Sequence, residues 1–174
     1  LKATHTKGRF WNKDEAERAL QACRGQNARV VKIESRQYRR SPPTPFNLGD
    51  LQSEAYQCLG LSPIRTQQIA QDLYQAALIS YPRTSSQKLP PVIGYTHILE
   101  RLSRINKEYK RLCDALLQSG ELTPHEGKKE DPAHPAIFPT GEHPADLSGS
   151  HLRVYDLIVR RFLAVFAPPA HVES

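Results

Sequence analysis

Two residues in the run Ile79-Ser80-Tyr81-Pro82-Arg83-Thr84-Ser85-Ser86 could do phosphoryl chemistry together. The segment Leu78–Thr84 is apolar and β-branched enough to be extended, so Tyr81 and Arg83, two apart, emerge on one face. A free phenol keeps its proton up to about pH 10 and attacks poorly at neutral pH unless nearby positive charge favours the phenolate. Arginine supplies that charge permanently, and its planar fork can hold two phosphate oxygens as negative charge builds up. The spacing by itself fits a tyrosine packed in a strand beside an exposed arginine more readily than a catalytic pair. His134, in His134-Pro135-Ala136-Ile137-Phe138-Pro139-Thr140, is a third candidate. A loop imidazole can hydrogen-bond a phosphate oxygen, move a proton near neutrality, or simply be solvated.

Other titratable clusters carry less. His125, His143 and His151, with Glu126 and Glu142, match no familiar ligand spacing, and no metal is expected within this chain. Cys23, Cys58 and Cys113 are far apart, which indicates neither a disulfide framework nor a zinc site. Each falls on a helical pattern and is expected in the core.

The elements that must position Tyr81 follow from periodicity. A short strand is expected over Thr4–Phe10, then a helix from Asn12 or Lys13 to about Arg24, with Ala16, Ala19, Leu20 and Cys23 on its apolar stripe. Ala28–Arg39, with Val30, Val31 and Ile33, reads as a strand that the cluster Pro42-Pro43-Thr44-Pro45 stops. A domain boundary is placed there. Asn47–Cys58 is helical and Gly60 ends it; Ser62 then caps a second helix with Pro63 at its first position. Ile64, Ile69, Ala70, Leu73, Tyr74 and Ala77 form that helix's stripe. The pair reads as a helix-turn-helix that could present its second helix to DNA, or as an ordinary αα-hairpin, with Leu78–Thr84 in the place of a wing.

Further helices are expected near Pro90–Ile105, Glu108–Gln118 and His151–Phe166. The last has Val154, Leu157, Ile158, Phe162 and Val165 inward and Arg153, Arg160 and Arg161 outward. Between them Gly120–Gly149 is a long proline-rich connection, the kind that compact domains keep for a functional reason. The net charge of +6 favours a polyanionic partner. No stretch approaches the ~18 apolar residues of a membrane span. The start at Leu1, the lack of methionine and the lack of a signal-peptide layout read as an internal segment of a larger protein.

Taken in order, PPTPFNLGDLQ, RTQQIAQDLY, ISYPRTSS, HPAIFPTG and YDLIVRRFLA resemble the catalytic-tyrosine region of type IA DNA topoisomerases, from about Phe10 to the C-terminus. RTSSQKLP is closer to the archaeal members, including the topoisomerase half of reverse gyrase, than to the bacterial RTDS form. The resemblance implies that Tyr81 is the nucleophile forming a 5′-phosphotyrosyl bond and that Arg83 grips the scissile phosphate. It places His134 on a histidine that contacts the DNA backbone near cleavage, and Gln71, Thr66 and Arg65 along the DNA path. Two departures are Ser85, where the bacterial motif has aspartate, and Pro135, where glutamate or histidine is common.

The same resemblance implies a mainly α fold: a helix-turn-helix, winged-helix-like tyrosine domain over residues 45–167. Residues 1–44 and 168–174 would be strands of a neighbouring β-rich gate domain, so the two flanks should meet in space. It implies single-stranded or underwound DNA and the rest of the topoisomerase chain as partners, a monomeric enzyme, and a cytoplasmic, nucleoid-associated location. Mg²⁺ would be bound outside this chain, on an acidic domain, leaving the fragment inactive alone. The alternative from the residues themselves is a winged-helix DNA-binding module without catalysis.

Overall fold

The structure, a computed structural model, describes residues 4–173. They divide into one unit that ends at Arg36 and another, Gln37–Glu173.

In the first unit, Asn12 caps helix α1 (Lys13–Cys23), its side chain accepting from the amides of Asp14 and Glu15 at 2.8 and 3.4 Å. The helix forms as expected, but its stripe buries nothing: no residue of α1 is buried, and Leu20 and Trp11 are exposed. The expected strand over Thr4–Phe10 does not form, and of Ala28–Arg39 only the end becomes one. Val30, Val31 and Ile33 are exposed. Strand pattern alone is insufficient, because an extended segment without a ladder partner leaves its backbone groups to water.

The second unit opens with β1 (Gln37–Arg40) and closes with β2 (Ala170–Glu173), paired antiparallel with Gln37 opposite Glu173 and Arg40 opposite Ala170. The incoming and outgoing chain therefore lie side by side. Between them come α2 (Leu48–Leu59), α3 (Pro63–Gln75), a 3₁₀ turn at Pro91–Ile93, α4 (Tyr95–Leu102), α5 (Lys107–Ser119) and α6 (Gly149–Ala164). The fold is mainly α, as expected. Asn47 caps α2 through the Asp50 amide at 2.8 Å, and Gly60 ends it in the left-handed region at φ 68°, where a Cβ would be strained. Ser62 and Pro63 start α3, giving the helix-turn-helix pair.

The core gathers Leu51, Ile69, Leu73, Leu99, Leu102, Val154, Ile158 and Phe162, with α6 packed on α2, α3 and α5. Several side chains depart from expectation. Ile64, Tyr74 and Ala77 lie exposed at the edge of the α3 stripe, and of the cysteines only Cys113 is buried. Arg161 turns inward: its side chain is 15% exposed, donates to the Thr44 carbonyl at 3.0 Å, pairs with Glu54 and lies 4.1 Å over the Phe46 ring. A long apolar stem and a ready carboxylate make that position habitable for a cation. The helix expected over Pro90–Ile105 is divided at Gly94, at φ 76°.

Candidate active site around Tyr81

The chain leaves α3 through a tight reversal. Ala77 donates to the Tyr74 carbonyl at 2.9 Å and Leu78 to the Leu73 carbonyl at 3.0 Å, a Schellman closure. It requires a left-handed residue, and Ala77 occupies that place at φ 59° without being glycine. The next residues run alongside the end of the long connection. Ile79 bridges Pro139, Ser80 donates to the Phe138 carbonyl at 2.9 Å, Thr140 donates to the Leu78 carbonyl at 3.0 Å, and the Thr140 hydroxyl reaches the Ala77 carbonyl at 2.7 Å. The extended segment thus has its partner more than fifty residues away, and not in an adjacent hairpin wing. The connection is anchored twice more, by Ala136 donating to the Lys88 carbonyl at 2.8 Å and Ile137 to the Phe46 carbonyl at 2.7 Å.

From Tyr81 to Ser86 burial alternates: Pro82, Thr84 and Ser86 face the interior while Tyr81, Arg83 and Ser85 are half-buried or exposed. This period of two puts the phenol and the guanidinium on the outward side together. The Tyr81 ring lies 4.6 Å from the His134 ring, tilted 49°, and 5.4 Å from Tyr74 in an edge-on contact. Arg83 and Ser85 line an open cleft with Asn47, Gly49, Gln67 and Lys129. The ion pairs of this unit use other residues, so among the described residues the Arg83 guanidinium is uncommitted.

Polar contacts tie the two loops that meet here. The buried Thr84 hydroxyl donates to the His134 carbonyl at 3.2 Å and accepts from the Ser86 amide at 3.0 Å, while the Thr84 carbonyl receives the Leu48 amide at 3.0 Å. Asp131 accepts from the amides of Ala133 and His134 at 2.9 and 3.1 Å through one oxygen, and from the amide and hydroxyl of Ser85, at 3.4 Å each, through the other. Donation from the Ala133 amide above all, with those of His134 and Ser85, holds this carboxyl below its ordinary range.

The sequence candidates therefore separate. Tyr81 and His134 are in contact, and Arg83 shares the outward side of Tyr81's strand. Arg65, exposed near the start of α3, donates to Gln68 at 3.2 Å, and Gln71 is half-buried farther along that helix. Thr66 is fully buried and its hydroxyl donates to the Ser62 carbonyl at 3.0 Å, so it has no surface to offer a phosphate. Two contributors were not foreseen. Tyr74 sat on an apolar stripe and reads as core from spacing alone. Asp131 was signalled only by Asp131-Pro132, a pair that favours a turn in which the side chain takes amides two and three residues on.

Among the described residues no group of three or more His, Cys, Asp or Glu could hold a metal ion, and no helix is long and apolar enough to cross a membrane. A cavity of about 720 Å³ lined by Arg40, Glu54, Cys58, Leu157 and Pro168 contains none of the candidate residues.

A family model described as DNA topoisomerase matches residues 1–174. "DNA topoisomerase 1" of Pyrococcus horikoshii is 47% identical over 174 residues, covering 99% of this chain and 25% of that protein. Its counterpart from Methanothermobacter thermautotrophicus is 48% identical over 172 residues, covering 99% of this chain and 24% of that protein. Among solved structures, full-length topoisomerase I from Thermotoga maritima superposes with a TM-score of 0.65 at 26% identity, covering 98% of this chain and 28% of that one. The chain spans about a quarter of the length of the relatives it matches.

Proposed function

The chain belongs to the type IA DNA topoisomerase family, and from that premise we propose that it is the strand-breaking part of a larger enzyme, with Tyr81 as nucleophile. The observation that carries this reading is the Tyr81 ring, half-exposed between Tyr74 and His134 on the outward side of a strand it shares with Arg83. The phenolic oxygen attacks the scissile phosphorus, the bond from phosphorus to the 3′ oxygen breaks, and the 5′ side remains esterified to Tyr81. In net terms the phenol's proton is exchanged for the one the leaving 3′ oxygen acquires. Phosphoester bonds are conserved, so resealing is the same step reversed and needs no ATP.

Arg83, exposed and unpaired within the described residues, holds the phosphate oxygens as charge develops on them. His134, whose ring lies tilted against that of the nucleophile, contacts the DNA backbone beside it. Arg65 and Gln71 lie along the path of the strand on α3. DNA, single-stranded or underwound, is the substrate, and the enzyme acts as a cytoplasmic, nucleoid-associated monomer. Residues 45–167 form the tyrosine domain, and β1 and β2 belong to the gate domain from which it is inserted. The family implies Mg²⁺, which would stabilise developing charge at the cleaved bond. Among the described residues no group of three or more His, Cys, Asp or Glu could hold a metal ion, and on this reading the ion would be bound by an acidic domain outside this chain.

The test is a covalent one. Full-length protein mixed with single-stranded DNA is expected to give an adduct that survives denaturation and is absent from Tyr81→Phe. An adduct retained in the phenylalanine variant removes Tyr81 as nucleophile. Reversible, salt-sensitive binding alone would restore the winged-helix alternative.

A further inference from the structure

Building on Tyr81 as nucleophile, we propose that Asp131 is a positioning residue that fixes the Arg83 loop against the His134 loop. The carboxylate stands between the two. One oxygen takes the amides of Ala133 and His134 at 2.9 and 3.1 Å, which sets the turn that delivers the imidazole. The other reaches across to the amide and hydroxyl of Ser85 at 3.4 Å, two residues beyond Arg83. Pro132 has no N–H to offer, so the amides of Ala133 and His134 are the first donors available to Asp131 beyond it, and the proline ring restrains the turn.

Asp131 forms none of this unit's ion pairs among the described residues, so its four contacts all go to the two loops. Thr84 closes the same gap from the other side, its hydroxyl donating to the His134 carbonyl. The two bridges have different chemistry. Thr84 is buried and neutral, whereas Asp131 is partly exposed and holds its donors by charge. The Arg83 and His134 loops are therefore held together by a buried hydroxyl on one side and by one carboxylate near the surface on the other.

Because the contact has a serine on one side and an aspartate on the other, the charge can be moved across it. In the full-length protein, single-turnover cleavage of an end-labelled single-stranded oligonucleotide is measured beside its binding affinity for wild type, Tyr81→Phe, Asp131→Ser and the double variant Ser85→Asp with Asp131→Ser. Asp131→Ser is expected to cleave about tenfold more slowly, the scale of losing charge-assisted hydrogen bonds, with affinity changed less than about twofold. The double variant is expected to recover to within about threefold of wild type, since the carboxylate again spans the loops. Urea unfolding of each variant separates slower cleavage from a general loss of folding. Wild-type cleavage in Asp131→Ser, or a double variant no faster than Asp131→Ser, overturns the proposal while leaving Tyr81 in place. Failure of wild type to give any Tyr81-dependent adduct overturns the nucleophile reading, and this proposal with it.

Discussion

Arg161→Ala tests the frame on which the site hangs. The guanidinium donates to the Thr44 carbonyl, pairs with Glu54 and covers the Phe46 ring, so it secures the segment whose Phe46 carbonyl receives the Ile137 amide, three residues past His134. A hydrogen bond to a charged group contributes about 1.5–3 kcal/mol, and a partly desolvated cation–π contact roughly 1 kcal/mol. Burial opposes them: it pulls the Arg161 pKa below its ordinary value, against the nearby charge of Asp50. Glu54 is 31% exposed, so water can replace part of what it loses. These terms together put the net loss at about 2–4 kcal/mol. In a chain of 174 residues this corresponds to a fall in Tm of roughly 5–15 °C. Urea unfolding of wild type, Arg161→Ala, Glu54→Ala and the double variant measures both the loss and the coupling, expected near 1–2 kcal/mol. A loss below about 0.5 kcal/mol, the level of an ordinary surface change, would refute the argument that this arginine locks the entry segment.

Arg83→Ala in the full-length protein is expected to slow single-turnover cleavage by at least ~10²-fold, the cost typical of one preorganised electrostatic contact, and an unchanged rate would count against its phosphate role. Ala77→Gly should stabilise the chain by about 0.5–1 kcal/mol, because the left-handed backbone at that position strains any Cβ by somewhat more than glycine loses in entropy; a lower Tm would contradict the Schellman geometry at φ 59°. Burial, reinforced by Asp114, pushes the Cys113 thiol up to about 11. Its reactive thiolate should therefore be scarce until the pH nears that value, so iodoacetamide at pH 8 should modify the exposed Cys23 and Cys58 in the native chain and reach Cys113 only after unfolding, as read by peptide mass spectrometry.

Local chemistry was legible wherever neighbours in sequence are neighbours in space. The helix starts at Asn12 and Asn47, the Ser62 cap, the Gly60 stop, and the inward faces of α2 and α6 follow from side chains acting within one turn, and the structure has them, whereas of the α3 stripe only Ile69, Ala70 and Leu73 are buried. So does the alternation from Tyr81 to Ser86, which a two-residue period predicts. Family membership was legible for another reason: five short motifs in fixed order are specific together even where each alone is weak, and the matched family spans the whole chain.

Partners far apart in the sequence were not legible. The strand pattern of Ala28–Arg39 failed over most of its length because pairing needs a second strand, whereas Gln37–Arg40 succeeded because Ala170–Glu173 returns to meet it. Arg161 looked solvent-facing until Glu54 and Phe46 arrived from α2 and the entry loop. Asp131, a turn residue by its neighbours, became a bridge only when the loops of Ser85 and His134 were brought together. Period and capping residues therefore determined which segments are helical, and the ordered motifs carried the family resemblance that nominates Tyr81, Arg83 and His134. Only tertiary structure decided what stands beside Tyr81, since side-chain contacts across more than fifty residues depend on how the chain closes and not on any local preference.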